Sequence, residues 1–202
     1  MRKVLFSLVA ISAMAIPALA GKYNTAISVG DKAPGFSGLP AIQNGEQVSV
    51  SLPDLKEDVV VVVFLANHCP VVKGYEDRLI EFTKDYKSKG VRVVGIAVSD
   101  MDEDKLPGIK NYMKEKGSNY TYAYDESQEI GRAYGATKTP QFFVLDKERK
   151  IRYTGAMDDS PGNEGKVSKT YLRDAVDAVL KGETPSVDET RAVGCGVRYN
   201  RK

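Results

Sequence analysis

The chain has 202 residues, with 29 Lys and Arg against 27 Asp and Glu, one His, two Cys and no Trp. That length suffices for one well-buried domain. The balanced charge leaves no electrostatic footprint for nucleic acid, and one His without Trp argues against a base-stacking platform or a His-rich metal site.

The first twenty residues read as a secretory leader. Arg2 and Lys3 start it, Val4 to Ile16 is apolar, and Pro17-Ala18-Leu19-Ala20 ends in an A-x-A pattern, so cleavage is expected before Gly21. The apolar run is too short for a stable membrane span, and no later segment is long and apolar enough to supply one. Without Arg2 and Lys3 the basic count falls to 27, equal to the acidic count. The protein is therefore expected to be exported, to the bacterial periplasm or outside the cell. The expected organisation is a leader over 1–20, a single domain over 21–182, and a tail over 183–202 that carries the second Cys.

Residues 21–38 read as an extended arm with turn signals, and Gln47 to Val50 as a short strand after the Asn44-Gly45 turn. Ser51 to Leu55 reads as one helical turn. Val59 to Ala66 is a continuous β-branched and apolar run, as in a strand buried on both faces. Pro70 to about Lys87 is helical, with Leu79, Ile80, Phe82 and Tyr86 as its apolar side and Gly90 beyond its end. Val91 to Val98 is a second buried strand. A helix near Pro107 to Lys116 stops at Gly117, Tyr120 to Tyr124 is a strand, and Ser127 to Tyr134 is a short helix capped by Ser127. Gln141 to Asp146 and Ile151 to Thr154 form a hairpin, and Thr170 to Leu180 is a last amphipathic helix. Alternating buried strands and helices give an α/β layered domain.

Within this frame Cys69 lies between a buried strand and a helix whose first position is Pro70, where a missing N–H costs nothing. A thiol there faces unpaired N–H groups and the positive end of the helix dipole, and both favour the thiolate. The thiolate is the nucleophile, so Cys69 is a candidate reactive group, against the alternative of an inert buried Cys. His68 would add positive charge. Thr139-Pro140, just before the strand QFFVLD, offers a site for a cis peptide bond, whereas an ordinary trans Pro is the commoner arrangement.

The segments VVVFLANHCPVVK, GATKTPQFFVLD and YTGAMDD together resemble the thioredoxin superfamily, and within it the redoxin or peroxiredoxin-like branch of alkyl hydroperoxide reductases and thiol-specific antioxidants. The ending TRAVGCGVRY resembles a C-terminal Cys segment of exported relatives that share Asn-His-Cys-Pro. The likeness runs from about Val29 to Gly182. It implies a central mixed sheet flanked by helices, Cys69 as the attacking thiol, and a substrate groove shaped by Pro70, Thr139 and Pro140. It implies no metal or organic cofactor, and electrons that come from a thiol protein partner.

Departures from the family patterns matter here. Val72 occupies the second position of the thioredoxin Cys-x-x-Cys. Ala66 and Val62 stand where peroxiredoxins place Thr and Pro, and Thr139-Pro140-Gln141 fills the region of the peroxide-binding Arg, with Arg132 and Arg152 near in sequence. Cys195, flanked by Gly194 and Gly196, is the remaining candidate to resolve a mixed disulfide or sulfenic acid on Cys69. A permanent Cys69–Cys195 bridge is the alternative, and its loop of about 126 residues would stabilise by roughly 5 kcal/mol on the chain-entropy model. Three functions therefore stay open: disulfide exchange, peroxide reduction, and a redox-inert binding domain with a structural disulfide. The missing hydroxyl at Ala66 favours disulfide exchange.

Two acidic patterns carry less. Asp100-x-Asp102-x-Asp104 starts like a calcium loop, but Lys105 and Asn111 replace its Gly and closing Glu, which favours a solvated, helix-capping loop. Asp158, Asp159 and Glu164 read as a mobile surface loop rather than a cation site. Tyr112, Tyr120, Tyr122, Tyr124 and Tyr134 read as packing residues.

Overall fold

The computed structural model describes residues 21–201, so the leader reading for 1–20 lies outside the described residues. The chain runs β1 (Leu39–Gln43), β2 (Glu46–Val50), β3 (Val59–Leu65), α1 (Pro70–Lys87), β4 (Val91–Ala97), α2 (Leu106–Lys116), β5 (Thr121–Tyr124), α3 (Glu129–Ala133), β6 (Lys138–Thr139), β7 (Gln141–Leu145), β8 (Ile151–Gly155), α4 (Tyr171–Leu180) and β9 (Cys195–Gly196). Seven strands form one mixed sheet in the order β2-β1-β5-β4-β3-β7-β8, and β6 pairs with β9 in a separate two-stranded ladder. Strands β3, β4 and β5 are parallel, while β1 and β7 join them antiparallel. No helix among the described residues is long and apolar enough to cross a membrane.

Strand β3 explains the centre. All seven of its residues are buried. Val59, Val61, Val63 and Leu65 point into one core with Val72, Tyr75, Leu79 and Phe82 of α1, Ile109 of α2 and Leu172 of α4. Val60, Val62 and Phe64 point into the other, against Ala33 and Phe36 of the N-terminal arm and Tyr134 after α3. Period-two alternation with both faces covered is why the run reads as uninterrupted Val. Each fully buried Val contributes roughly 1.5–3 kcal/mol relative to exposure.

Most sequence expectations hold within a residue or two, and the cis Thr139–Pro140 bond is present. Strand β1 is an addition to the arm, closed onto β2 by Asn44 and Gly45, both at positive φ as a tight hairpin requires. Helix α3 begins at Glu129, two residues later than expected, and Ser127 Oγ still accepts the Glu129 N–H at 3.2 Å. Ser127 Oγ donates to Asp125 Oδ1, and Asp125 Oδ2 accepts the Gly131 N–H.

Two acidic readings need correction. Asp158 is not on a mobile surface loop: it is buried, ion-paired to Arg78 of α1 at 2.5 Å, and accepts from Tyr75 Oη at 3.0 Å. Arg78 also donates to the carbonyls of Gly74, Ser160 and Pro161, so one guanidinium fastens that loop to the helix. Asp104 is not solvated either, because it is fully buried beside the candidate site. No cluster of metal-ligating side chains occurs among the described residues.

Candidate active site

Cys69 is the residue that caps α1, with extended backbone at φ −79° and ψ 119°, and Pro70 takes the first helical position. The buried end of β3 therefore delivers the sulfur to the helix N-terminus, as the sequence pattern implies. Cys69 is 0 % exposed. As a thiol it donates to the Thr139 carbonyl at 3.2 Å, on the residue that precedes cis Pro140.

The second cysteine is already in place. Thr139 pairs with Cys195 in the β6–β9 ladder, so the backbone whose carbonyl touches Cys69 also holds Cys195. Both cysteines are free thiols in this structure. The tail is anchored on either side of them. Thr190 N–H donates to the Thr154 carbonyl and Val197 N–H to the Thr137 carbonyl. Tyr199 Oη donates to the Ala136 carbonyl at 2.6 Å, and Asn200 N–H to Gln128 Oε1 at 2.7 Å. The two glycines beside Cys195 suggest flexibility, but Gly194 has a steric role. A Cβ there would collide with the Thr139 carbonyl oxygen, so only glycine lets the tail lie this close.

The two thiols are electrostatically unequal. Burial pushes the Cys69 thiol up, but hydrogen bonds from the Cys195 thiol, the Val72 N–H and the Cys195 N–H outweigh it, and the net shift is downward from 9.0. Cys195 goes the other way, to about 11, because of burial and because its S–H is held by the developing Cys69 thiolate. Cys69 is thus the more readily deprotonated of the two and Cys195 its hydrogen-bond donor, an arrangement that favours attack by one sulfur and keeps the proton on the other.

His68 is engaged by a carboxylate. Its Nδ1 lies 2.6 Å from Asp104 Oδ2, the ring is 30 % exposed, and Asp104 is 0 % exposed. Asp104 Oδ1 accepts the Asn67 N–H at 2.5 Å, Asn67 Nδ2 donates to the Glu103 carbonyl at 2.5 Å, and Tyr122 Oη donates to Asn67 Oδ1 at 3.0 Å. With Nδ1 engaged, Nε2 is the ring nitrogen left for the adjacent cavity, as in other imidazoles oriented by a carboxylate. That cavity, of about 630 Å³, is lined by Leu65, Ala66, His68, Val98, Met101, Thr139, Cys195 and Arg198 among others. It reaches Cys195 but not Cys69. The sequence names Asn67, Asp104 and Gly194 only as parts of other patterns, the Asn-His-Cys-Pro run, an acidic loop and a glycine beside Cys195, and does not assign them to the site.

Residues 28–172 match the model of the Redoxin family. The chain belongs to the Redoxin family. Its fold is thioredoxin-like, and it shares the thioredoxin superfamily with its relatives. The thiol-disulfide oxidoreductase ResA of Bacillus subtilis (strain 168) is 29% identical over 160 residues, covering 78% of this chain and 79% of that protein. The ResA of Bacillus anthracis is 28% identical over 125 residues, which is 62% of this chain and 68% of its own. Among solved structures, an uncharacterized conserved protein from Geobacillus kaustophilus superposes with a TM-score of 0.80 at 33% identity, covering 94% of this chain and 100% of that one. A thiol:disulfide interchange protein of the thioredoxin family from Chlorobium tepidum TLS gives 0.59 at 27% identity, covering 77% of this chain and 99% of its own. This Redoxin-family chain departs from the Cys-x-x-Cys spacing, because Val72 is buried at the helix position where a second thiol would stand.

Proposed function

We propose that this protein is an exported thiol-disulfide oxidoreductase with Cys69 as nucleophile and Cys195 as resolving thiol. The observation that carries the reading is that Thr139, whose carbonyl accepts from the Cys69 thiol at 3.2 Å, pairs with Cys195 in the β6–β9 ladder and so brings the second thiol to the first. Relatives named as thiol-disulfide oxidoreductases support the reaction class. The leader over 1–20 supports export, and the tail from 183 onward belongs to the working unit because it brings the second sulfur.

The chemistry follows from the unequal thiols. When the short β9 pairing opens, the Cys69 thiolate attacks one sulfur of a protein disulfide and expels the other as a thiolate. Cys195 then gives up its proton and attacks Cys69 Sγ, releasing the second substrate thiolate. Two substrate thiols and a Cys69–Cys195 disulfide result, so two electrons pass from protein to substrate. Thr139, Pro140 and Pro70 border the groove, and His68 Nε2, oriented by Asp104, is the nearby proton acceptor. No step calls for a metal or organic cofactor. Disulfides suit the site better than peroxides, since Ala66 and Val62 are apolar and offer no hydroxyl to orient a peroxide.

Insulin, whose disulfides are reduced by thiol proteins, provides the test. Wild-type protein reduces it in one turnover, and Cys69→Ser does not. Cys195→Ser accumulates a mixed disulfide on Cys69, visible as an intact-mass adduct that dithiothreitol removes. A Cys69→Ser protein as active as wild type would remove the proposal.

A further inference from the structure

The cavity beside the site raises a question that the forward reaction leaves open: which sulfur does a small thiol meet when the protein is re-reduced? We propose that re-reduction enters at Cys195, with the incoming thiolate attacking Cys195 Sγ from the 630 Å³ cavity while Cys69 departs. This rests on the disulfide reading above and adds the route of the second half-reaction.

Three observations carry it. First, access is one-sided. Cys195 is half-buried and lines the cavity, whereas Cys69 is fully buried beneath β9 and does not. Second, the cavity has room for a small thiol beside Cys195. Buried Leu65, Ala66 and Val98 line it, with His68, Asp100, Met101 and Arg198 nearer solvent. Third, the leaving group is the right one. The sulfur that departs as a thiolate is held at the α1 N-terminus next to the Val72 N–H, so Cys69 is the better leaving group of the two.

The steps balance. A thiolate RS⁻, its proton lost to water, bonds to Cys195 Sγ and breaks the Cys69–Cys195 bond, leaving RS–S–Cys195 and a Cys69 thiolate. A second thiolate attacks the R sulfur, forming RSSR and releasing the Cys195 thiolate, which takes one proton from water. Two thiols are oxidised to one disulfide, and one protein disulfide is reduced. Protein substrates, too large for the cavity, use the opened β9 route instead, so the two half-reactions have separate doors.

The experiment starts from protein oxidised to the internal disulfide, confirmed by the loss of two hydrogens in intact mass. Failure at that point removes the resolving role of Cys195 and the inference with it. The oxidised protein is mixed with glutathione, quenched with acid and N-ethylmaleimide, and digested with trypsin, which separates Cys69 (peptide 57–73) from Cys195 (peptide 192–198). The expected result is glutathione on Cys195 and maleimide on Cys69, in about tenfold excess over the reverse pattern. Glutathione mainly or equally on Cys69 overturns the proposal while leaving the disulfide reading intact. Should the adduct close too fast to be caught, Ser99→Trp decides. Ser99 lines the cavity, and filling that space should slow reduction by glutathione about tenfold, whereas an unchanged rate counts against entry from this side.

Discussion

Replacing Gly194 with Ala tests how the second sulfur is positioned. The added methyl would occupy the space of the Thr139 carbonyl oxygen, with Thr139 C and Pro140 N close behind. These are backbone atoms fixed by the Thr137–Gln141 turn, in which Gln141 Oε1 accepts the Thr137 N–H at 3.0 Å, so they cannot yield as a flexible side chain would. The tail must move instead. Overpacking of this kind costs typically 1–3 kcal/mol, and about 2 kcal/mol is a fair central value. The loss falls on the β6–β9 pairing, since Thr190 and Tyr199 hold the tail independently on either side. It therefore appears as a lower effective concentration of Cys195 at Cys69, roughly thirtyfold at about 2 kcal/mol, with global stability little changed. For a two-electron couple that raises the midpoint potential by roughly 40 mV. The assay equilibrates the protein in glutathione buffers, quantifies the Cys69–Cys195 disulfide by intact mass, and compares urea midpoints in parallel. An unchanged potential in a folded Gly194→Ala protein would refute the claim that close approach at Gly194 sets the pairing.

Other substitutions test the supports of the site. Asp104→Asn keeps an acceptor for the Asn67 N–H but presents an amide donor to His68, so the neutral ring should shift its proton from Nδ1 to Nε2, read in the ¹⁵N spectrum of the single His. Arg78→Ala leaves Asp158 buried without its cation and frees the loop at 158–161, which should cost about 3–5 kcal/mol in urea unfolding; a loss below about 1 kcal/mol would mean that the pair is not buried as described. Glu76 is buried among Tyr112, Ser118 and Tyr120, and burial raises its carboxyl above the usual range despite those hydrogen bonds. Its protonated form is the one the fold favours, so its contribution is complete below the unfolded carboxyl range near 4.5 and is lost as pH rises through the folded value. Glu76→Gln should remove that decline, seen as a flatter stability profile above about pH 4.5, and an identical slope in both proteins would contradict it.

The centre of the fold is legible in the sequence because its physics is local or periodic. An unbroken β-branched Val run fits a strand covered on both sides, and Cys69-Pro70 followed by an amphipathic stretch fits a strand passing into a helix. Strand β1 is harder to see because Pro40 interrupts a five-residue segment. The structure tolerates Pro40 because β5 pairs only at Ala41 and Ile42, so no partner strand lies beside the ring on that side. The two-residue strands β6 and β9 leave no periodicity at all, and their pairing joins positions more than fifty residues apart. Asp104 and Asp158 mislead for a related reason. Each sits in an acidic, turn-rich stretch that looks solvated, and only tertiary contact with His68 or Arg78 reveals a buried carboxylate. Both cysteines are thus readable as candidates from the sequence, whereas the placement of Cys195 against Cys69 and the carboxylate behind His68 require the assembled fold.

The inequality of the two thiols is measured most directly by a thiolate titration followed by ultraviolet absorbance. The wild-type protein should show one thiolate forming below 9.0 and a second near 11, with Cys69→Ala removing the first step and lowering the second, which loses the Cys69 thiolate. Cys195→Ala should remove the second step and move the first upward, because Cys69 loses its thiol donor. Two cysteines that titrate together at the ordinary thiol value, or a first step that survives in Cys69→Ala, would contradict the assignment of Cys69 as the thiolate and Cys195 as its donor.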